Sequence, residues 1–212
     1  SAMGKIPDAN KAVSMEWKAD GDVIYLLGHT GTHLGGSHYY QLMGWHSRTA
    51  PQVPTGVTRK LYASLHQAIM NSLVRSCHDL SEGGLAVALA ECTLANGYGA
   101  SINVNEIHAD SPELRWDEIL FSETPGRFVV SVAPENTEEF ERYFTDQVCL
   151  KLGEVTSINM LDIRYDQPNY YGEDNSLVAL NNTELVTAWS KEPASCWAND
   201  SANTLNAEAN KV

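Results

Sequence analysis

Cationic side chains are scarce in this sequence of 212 residues. Lys and Arg together number 14 against 27 Asp and Glu, which gives a formal net charge of -13. A protein that binds a nucleic acid backbone needs clustered Lys and Arg to neutralise the phosphates. The composition therefore predicts that nucleic acid is not a partner.

Long apolar runs are also lacking. No stretch approaches the roughly 20 apolar residues that cross a bilayer, and the first residues lack the charged start and apolar stretch of a signal peptide. We therefore expect a soluble, cytoplasmic protein with no membrane contact. Ser1 and Ala2 stand before Met3, which suggests a start point chosen inside a longer protein.

Cysteines are few and widely spaced, at Cys77, Cys92, Cys149 and Cys196, with no Cys-x-x-Cys pair among them. This spacing is unsuited to a disulfide framework or a thiolate zinc site. We expect reduced thiols that are mostly buried.

Apolar residues make up 43% of the chain, enough for a sizeable core. An apolar run at residues 22–27 predicts a buried strand. Leu61, Leu65, Ile69 and Leu73 recur every four positions and predict a helix over residues 58–76. A second helical pattern begins at Leu85 and stops at residues 96–97, where Asn and Gly favour a left-handed cap.

The second half of the chain alternates strand and helix patterns. Strands are predicted at residues 100–104, 127–133, 150–155 and 158–165, with a helix at 137–144 and another at 183–191. Asn136 and Glu139 have the spacing of a capping box. These patterns indicate an α+β layered sandwich with a mixed sheet.

The first candidate site is the glycine-rich stretch at residues 27–39. Glycines after a strand free backbone N–H groups to face an anion, although the pattern alone favours a tight strand-to-helix turn. His29, His33 and His38 raise a metal hypothesis, but the surrounding glycines oppose the helix that would place two imidazoles on one face. We predict that His33 and His38 do not form a metal centre.

Two further segments carry chemistry. Residues 78–85, His-Asp-Leu-Ser-Glu-Gly-Gly-Leu, are predicted to join two helices. There Asp79 is a candidate Mg²⁺ ligand, or else Asp79 or Ser81 caps the following helix. In residues 121–127, Glu123 and Arg127 bracket a Pro-Gly turn. They either form an ion pair or leave Arg127 for an anionic ligand.

The order of these segments, followed by Gly-Glu-Val at residues 153–155, resembles the C-terminal domain of the aminoimidazole ribonucleotide synthetase superfamily. The resemblance covers roughly residues 5–190 and is greatest to the phosphoribosylformylglycinamidine synthase family. It implies a three-layer α/β/α sandwich with a mixed sheet. Relatives usually show Glu at the positions of His33 and His38, so any acidic role in that loop is in doubt here.

The resemblance also implies a set of site residues. Asp79 is expected to bind Mg²⁺, and the residues expected to bind ATP or ADP are Ser81, Gly83, Gly35, Gly36, Ser37 and Arg127. None is assigned a catalytic role.

The function implied by the resemblance is part of an ATP-dependent carbon–nitrogen ligase of purine biosynthesis, which converts formylglycinamide ribonucleotide and glutamine to the amidine. This domain would supply one wall of a nucleotide pocket and would be inactive alone. Its partners would be N-terminal synthetase domains of the same polypeptide and a glutaminase domain or subunit, with a homodimer left open. Two alternatives stay open: another member of the superfamily, such as a selenophosphate synthetase-like protein, and a degenerate structural or regulatory domain.

Four segments follow from this interpretation. Residues 1–21 are expected to form a linker, 22–166 the synthetase-like domain, 167–197 an extension with one helix, and 198–212 a disordered tail.

Overall fold

The computed structural model describes residues 4–47, 49–165 and 175–191. The expected tail at 198–212 and residues 167–174 and 192–197 of the expected extension lie outside these residues. The strands are β1 (Val23–Leu27), β2 (Val74–Asp79), β3 (Gly99–Asn103), β4 (Phe128–Val132), β5 (Cys149–Thr156), β6 (Met160–Arg164) and β7 (Ser176–Asn181). The helices are α1 (His38–Leu42), α2 (Thr55–Met70), α3 (Gly84–Leu94), α4 (Asn105–Asp110), α5 (Trp116–Phe121), α6 (Thr137–Arg142) and α7 (Asn182–Ser190).

The strands form one mixed sheet in the order β2-β4-β1-β5-β3-β6-β7. Neighbouring strands are antiparallel except β3 and β6, which are parallel. Because β1 lies inside the sheet and is covered on both faces, all five of its residues are buried. This explains its unbroken apolar sequence.

One face of the sheet packs on α2 and α6. The shared cluster includes Tyr25 and Leu27 of β1, Leu61 and Leu65 of α2, and Phe140 of α6. The rings of Tyr25 and Phe140 lie 5.1 Å apart, and the Tyr25 hydroxyl donates a hydrogen bond of 2.7 Å to Glu141 Oε1. The four-residue apolar spacing of α2 thus places its core stripe on the sheet.

The opposite face is covered by α3, which contacts α5 and four of the strands. Ile24 and Leu26 alternate with the residues of the first cluster and are fully buried, as the pleat of a strand requires. Helices therefore lie on both faces, and the predicted three-layer sandwich with a mixed sheet is confirmed.

The prediction of one helix over residues 58–76 is wrong at its C-terminal end. Helix α2 stops at Met70, and Ser72 adopts a left-handed conformation with φ 59°. Leu73 continues the apolar repeat but lies in the turn that leads into β2, where it is buried. Residues 78–85 therefore join a strand to a helix, and not two helices.

Other local predictions differ as well. Asn136 ends a short 3-10 turn before α6, and its side chain makes no cap hydrogen bond, so the predicted capping box is wrong. The sequence interpretation also missed five elements: β2, β7, α1, α4 and α5. Helix α3 ends earlier than predicted, at Leu94 with a right-handed C-cap at Ala95, and the left-handed residue Gly97, at φ 75°, follows two residues later.

The described residues fall into two units, divided between Asn182 and Thr183. Helix α7 accounts for most of what is described in the second unit, and Thr187 donates a side-chain hydrogen bond to the Thr183 carbonyl within it. None of the helices in the described residues is both long and apolar enough to span a bilayer.

Candidate functional site

The three segments singled out in the sequence meet at one end of the sheet, and Glu123 joins them. One carboxylate oxygen of Glu123 accepts hydrogen bonds from the backbone N–H of Gly83 at 2.8 Å and of His38 at 3.0 Å. The Glu123 N–H donates to the His33 carbonyl at 2.9 Å. A single residue therefore fixes the glycine-rich loop against the start of α3.

Hydroxyl groups strengthen the same junction. Ser122 donates to the Gly31 carbonyl at 2.6 Å, and its hydroxyl oxygen accepts the His33 N–H at 3.2 Å. The Thr124 hydroxyl oxygen accepts the Gly31 N–H at 3.0 Å and lies 2.9 Å from His33 Nδ1. Backbone groups of the glycine-rich loop are thus bound to side chains of residues 122–124.

Arg127 lies beneath this junction with none of its surface exposed. Its guanidinium donates to the Thr124 carbonyl at 3.2 Å, to Thr30 Oγ1 at 3.1 Å and to the Ser122 carbonyl. Burial lowers the pKa of Arg127, as expected for a desolvated cation. The guanidinium therefore braces two loops from inside.

The ion pair between Glu123 and Arg127 considered from the sequence is not formed. Among the ion pairs of the described residues, none includes Arg127. The Glu123 carboxylate instead accepts hydrogen bonds from the backbone N–H groups of Gly83 and His38. Arg127 remains a buried cation bonded to neutral oxygens.

A cleft of about 370 Å³ opens above Arg127 and is bounded by Asp79, Ser81, Glu82, Glu123 and Tyr62. The Asp79 side chain is 68% exposed, and its carboxylate lies 3.6 Å from His78 Nδ1. Three carboxylates share this cleft, which suits a cation more than a free anion.

The capping role considered for Asp79 and Ser81 is wrong. Gly83 occupies the N-cap of α3 and its N–H donates to Glu123, whereas neither the Asp79 nor the Ser81 side chain accepts a hydrogen bond from the first turn of α3. Asp79 ends β2 and Ser81 lies in the loop between. Both side chains are therefore free of a capping role at the rim of the cleft.

Gly35, Gly36 and Ser37 lie outside the lining of this cleft. Ser37 is buried; its hydroxyl caps α1 by accepting the Tyr40 N–H at 3.2 Å, and it donates to the Leu34 carbonyl at 2.7 Å. A side chain at Gly35 would meet the Thr49 carbonyl at 1.9 Å. The local geometry of these residues is thus explained by the turn itself.

Of the expected site residues, the cleft brings together Asp79, Ser81 and Arg127, while Gly83 adjoins it through Glu123. The sequence interpretation missed Tyr62, which lines the cleft from α2 with 48% of its surface exposed. The only sign of this role in the sequence was that Tyr62 is an aromatic residue beside the apolar stripe of α2. It also missed the link from Glu123 to two backbone amides.

The histidines of the glycine-rich loop have other neighbours. His29 Nδ1 lies 3.2 Å from Asp110 Oδ2, and His33 is partly buried beside Thr124. Among residues 4–47, 49–165 and 175–191, no group of three or more His, Cys, Asp or Glu side chains is placed to bind a metal ion. That His33 and His38 do not form a metal centre stays a prediction.

His33 gives the domain a predictable response to acid. Burial, and then the positive charge of Arg127, lower its pKa below the ordinary value of 6.5. The unfolded chain therefore binds a proton at this residue more readily than the folded chain. Stability should fall as pH drops through about 6.5, since the unfolded state takes up more protons there. Urea unfolding at pH 7.5 and 5.5 measures this loss, and His33→Gln should reduce it. An equal loss in the variant would assign the effect to other groups.

Comparisons with known proteins identify the fold and the family. The family model described as AIR synthase related protein, C-terminal domain, matches residues 19–166. Phosphoribosylformylglycinamidine synthase subunit PurL of Alkaliphilus metalliredigens is 41% identical over 137 residues, which are 64% of this chain and 18% of the relative. The same subunit of a Cyanothece species is 35% identical over 205 residues, which are 89% of this chain and 24% of the relative. The chain thus spans about a fifth to a quarter of these relatives.

Solved structures agree on the fold. Thermotoga maritima PurL complexed with FGAR superposes with a TM-score of 0.69 at 18% identity, covering 84% of this chain and 30% of that one. The hydrogenase maturation protein HypE in complex with ATP gives 0.54 at 15% identity, covering 84% of this chain and 56% of that one. With the family model matching most of the chain, this protein belongs to the family of AIR synthase related proteins, and residues 19–166 correspond to their C-terminal domain.

Proposed function

We propose that this chain is part of a phosphoribosylformylglycinamidine synthase, an ATP-dependent carbon–nitrogen ligase of cytoplasmic purine biosynthesis. In this proposal its domain supplies one wall of a nucleotide pocket and does not catalyse alone. The relatives with 35–41% identity that bear this name support the assignment. Structural neighbours described as complexed with ATP, ADP and AMPPCP agree with nucleotide chemistry in the fold.

The observation that carries the proposal is the cleft itself. Exposed Asp79 and Ser81 stand at its rim, and three loops from distant parts of the chain are held together beneath them. Such convergence of polar groups on a concave surface is typical of a ligand site. A purely structural turn would not need an exposed carboxylate placed over a buried cation.

Each residue has a role in this pocket. Asp79 would hold Mg²⁺, which usually takes one or two carboxylates and completes its shell with water and phosphate oxygens. When bound, the ion neutralises phosphate charge. Ser81 would donate its hydroxyl to a phosphate oxygen. Gly83, held by Glu123, and the turn of Gly35, Gly36 and Ser37 shape the loops, while Arg127 braces them and adds positive potential from below.

The remaining partners belong to the same proposal. N-terminal synthetase domains of the same polypeptide would cover the open side of the cleft, with residues 1–21 leading to them, and a glutaminase would supply ammonia. A neighbour described as the structure of PurLQS supports an assembly of several components for that protein. Residues 22–166 would be the synthetase-like domain of this chain.

Asp79→Asn tests the metal assignment. The variant keeps the shape of the side chain but loses the charge that attracts Mg²⁺. We expect binding of Mg²⁺-ADP to weaken at least tenfold, equivalent to about 1.4 kcal/mol. In a polypeptide that includes the N-terminal domains, ligase activity should fall by a similar factor. Because Asp79 caps no helix, the urea midpoint should stay unchanged. Calorimetric titration and urea unfolding measure the two effects.

Asp146→Asn provides the matched control, since this carboxylate is 78% exposed and lies outside the lining of the cleft. It should change neither the affinity for Mg²⁺-ADP nor the urea midpoint. Unaltered Mg²⁺-ADP affinity in Asp79→Asn, with the control also unaltered, would remove Asp79 from the proposed site.

An exposed apolar patch at α1 supports the proposal that a neighbouring domain contacts this one. Leu42, Met43 and Trp45, which we call the α1 patch, are 78%, 49% and 52% exposed. Three adjacent exposed apolar side chains are typical of an interface. We expect the chain to self-associate through this patch, and Leu42→Glu combined with Met43→Glu to abolish the association. Sedimentation across a range of concentrations measures it. A strict monomer at high concentration that also fails to bind a hydrophobic dye would contradict the prediction.

A further inference from the structure

A second concave surface lies on the sheet itself, away from the cleft. Strands β5, β3 and β6 bound a cavity of about 310 Å³, and no residue lines both this cavity and the cleft. Val23, which packs in the cluster between the sheet and α2, lies opposite Glu154 at its border. The cavity therefore opens on the face that carries α2 and α6. We call it the sheet basin, and its polar lining consists of Ser101, Asn103, Lys151, Glu154 and Arg164.

The register of the strands arranges the polar side chains of the basin in two rows. In the first row, Ser101 of β3 lies opposite Glu154 of β5 on one side and opposite Asp162 of β6 on the other. Two residues further along β3, and so on the same face, Asn103 lies opposite Arg164. Neighbouring strands are about 4.8 Å apart. The first row therefore has a carboxylate on each side of a hydroxyl group.

A β-bulge brings a second cation to the other row. The pairing of β5 with β1 shifts at Leu152, because Ile24 lies opposite Gly153 whereas Tyr25 lies opposite Lys151. Bulges bend a strand and redirect its side chains, and they are frequent beside active sites. Lys151 thus lines the basin, and the second row has a cation on the β5 side as well as on the β6 side.

The charges of the basin neutralise one another only in part. Arg164 Nε donates to Asp162 Oδ2 at 2.6 Å, but Asp162 Oδ1 is buried and has no hydrogen-bond partner within the described ranges. Among the ion pairs of the residues that the structure describes, none includes Lys151 or Glu154. A buried carboxylate oxygen without a donor is rare in native proteins. The acidic row therefore favours a ligand that donates hydrogen bonds.

The spacing of the two rows limits the size of such a ligand. The rows are about 6.6 Å apart along β3, and each hydrogen bond between charged groups takes up about 2.8 Å. A ligand that carries an ammonium and a carboxylate on the same carbon reaches both rows at once. Between the rows, Ile102 and Leu152 line the basin and are buried. This apolar floor suits a small hydrocarbon side chain.

We propose that the sheet basin binds a free α-amino acid with a small apolar side chain. Its ammonium lies above Ser101 and donates to Glu154. Its carboxylate lies above Asn103 and accepts from Lys151 and Arg164. A purely anionic ligand would be repelled by Glu154, and a cation alone by Lys151, so neither matches both rows. This site is independent of the nucleotide pocket proposed at the cleft.

Three probes of the same shape separate the two rows: L-valine, L-valinamide and L-2-hydroxy-3-methylbutanoate. Each is titrated at pH 7 into the 212-residue chain and followed by NMR of the backbone amides. L-Valine should bind at least tenfold more tightly than either analogue, since each analogue has only one of the two charges. Lys151→Gln should weaken L-valine and the hydroxy acid at least tenfold and leave L-valinamide unchanged. Glu154→Gln should weaken L-valine and L-valinamide and leave the hydroxy acid unchanged.

Lys60→Gln and Glu138→Gln are the matched controls, because both side chains are exposed and lie outside the basin. They should change the affinity for none of the three probes. L-Valine that shifts none of the amides of the basin, or that binds no more tightly than the analogues, overturns the proposal. Equal losses in the controls overturn it as well. Mg²⁺-ADP should shift the amide of Ser81 and none in the basin, so the nucleotide pocket and the amino-acid site fail separately.

Discussion

Replacing Arg127 with Met should lower the free energy of unfolding by about 3 kcal/mol. The guanidinium donates to the Ser122 and Thr124 carbonyls and to the Thr30 hydroxyl in a site without solvent. Met fills much of the volume but donates nothing, and each buried acceptor left without a partner costs about 1–3 kcal/mol. Part of this loss is offset, because the variant no longer has the free-energy cost of burying a charge. Urea unfolding gives the value.

Arg142→Met is the matched control, because the Arg142 side chain is 73% exposed and faces Glu138 at 3.7 Å. It should change stability by less than about 0.5 kcal/mol, as surface substitutions usually do. Arg127→Lys should recover little, since a single ammonium group cannot reproduce a planar fork that donates in three directions. A loss below about 1 kcal/mol in Arg127→Met would show that the loops hold their positions without the guanidinium.

Gly84→Ala should cost a similar amount, about 3 kcal/mol. Gly84 adopts φ 66° at the first position of α3, a conformation that costs a residue with a side chain about 1–2 kcal/mol. A Cβ atom there would also lie 2.5 Å from the Ser122 carbonyl oxygen and 2.8 Å from the Phe121 carbonyl carbon. Since both atoms belong to the backbone, residues 121 and 122 must move, and such overpacking costs about 1–3 kcal/mol.

Gly97→Ala separates the conformational cost of a left-handed alanine from the steric cost of the added Cβ atom. Gly97 is also left-handed, at φ 75°, but nothing lies within 4 Å of an added Cβ atom. This variant should lose only the conformational part, about 1 kcal/mol. If both variants lose the same free energy of unfolding, the backbone of residues 121–122 moves away from α3 without a cost in stability. Mg²⁺-ADP affinity should fall in Gly84→Ala alone, because Ser122 and Glu123 shift with the backbone.

The sequence predicted the interior strands well and the edge strands poorly. The order of the sheet places β2 and β7 at its two edges. The interior strand β1 carries an unbroken apolar run because it is covered on both faces. β2 mixes Arg75, His78 and Asp79 with apolar residues, and the four-residue repeat of α2 extends by coincidence to Leu73. The apolar repeat itself carries no sign that the helix ends at Met70 and that Ser72 turns left-handed.

The candidate site was predictable in position more than in its contacts. The motif at residues 78–85 singled out Asp79 and Ser81, and both line the cleft, although the elements around them were misassigned. Their roles as ligands stay predictions. The role of Glu123 was not predictable, because its partners are backbone amides 40 and 85 residues away in the chain. Every residue except Pro offers such an amide, so no side-chain pattern identifies the two that Glu123 binds.

The contacts of Glu123 also determine when the pocket can exist during folding. Closing loops of 40 and 85 residues costs conformational entropy before any contact compensates for it. A chain that has paired β3 with β5 but has not yet placed residues 122–127 has no cleft. Under the proposed function, a nucleotide would bind only the completed domain, and by mass action it would stabilise that state against every partly folded one. Retention of nucleotide would then measure complete folding.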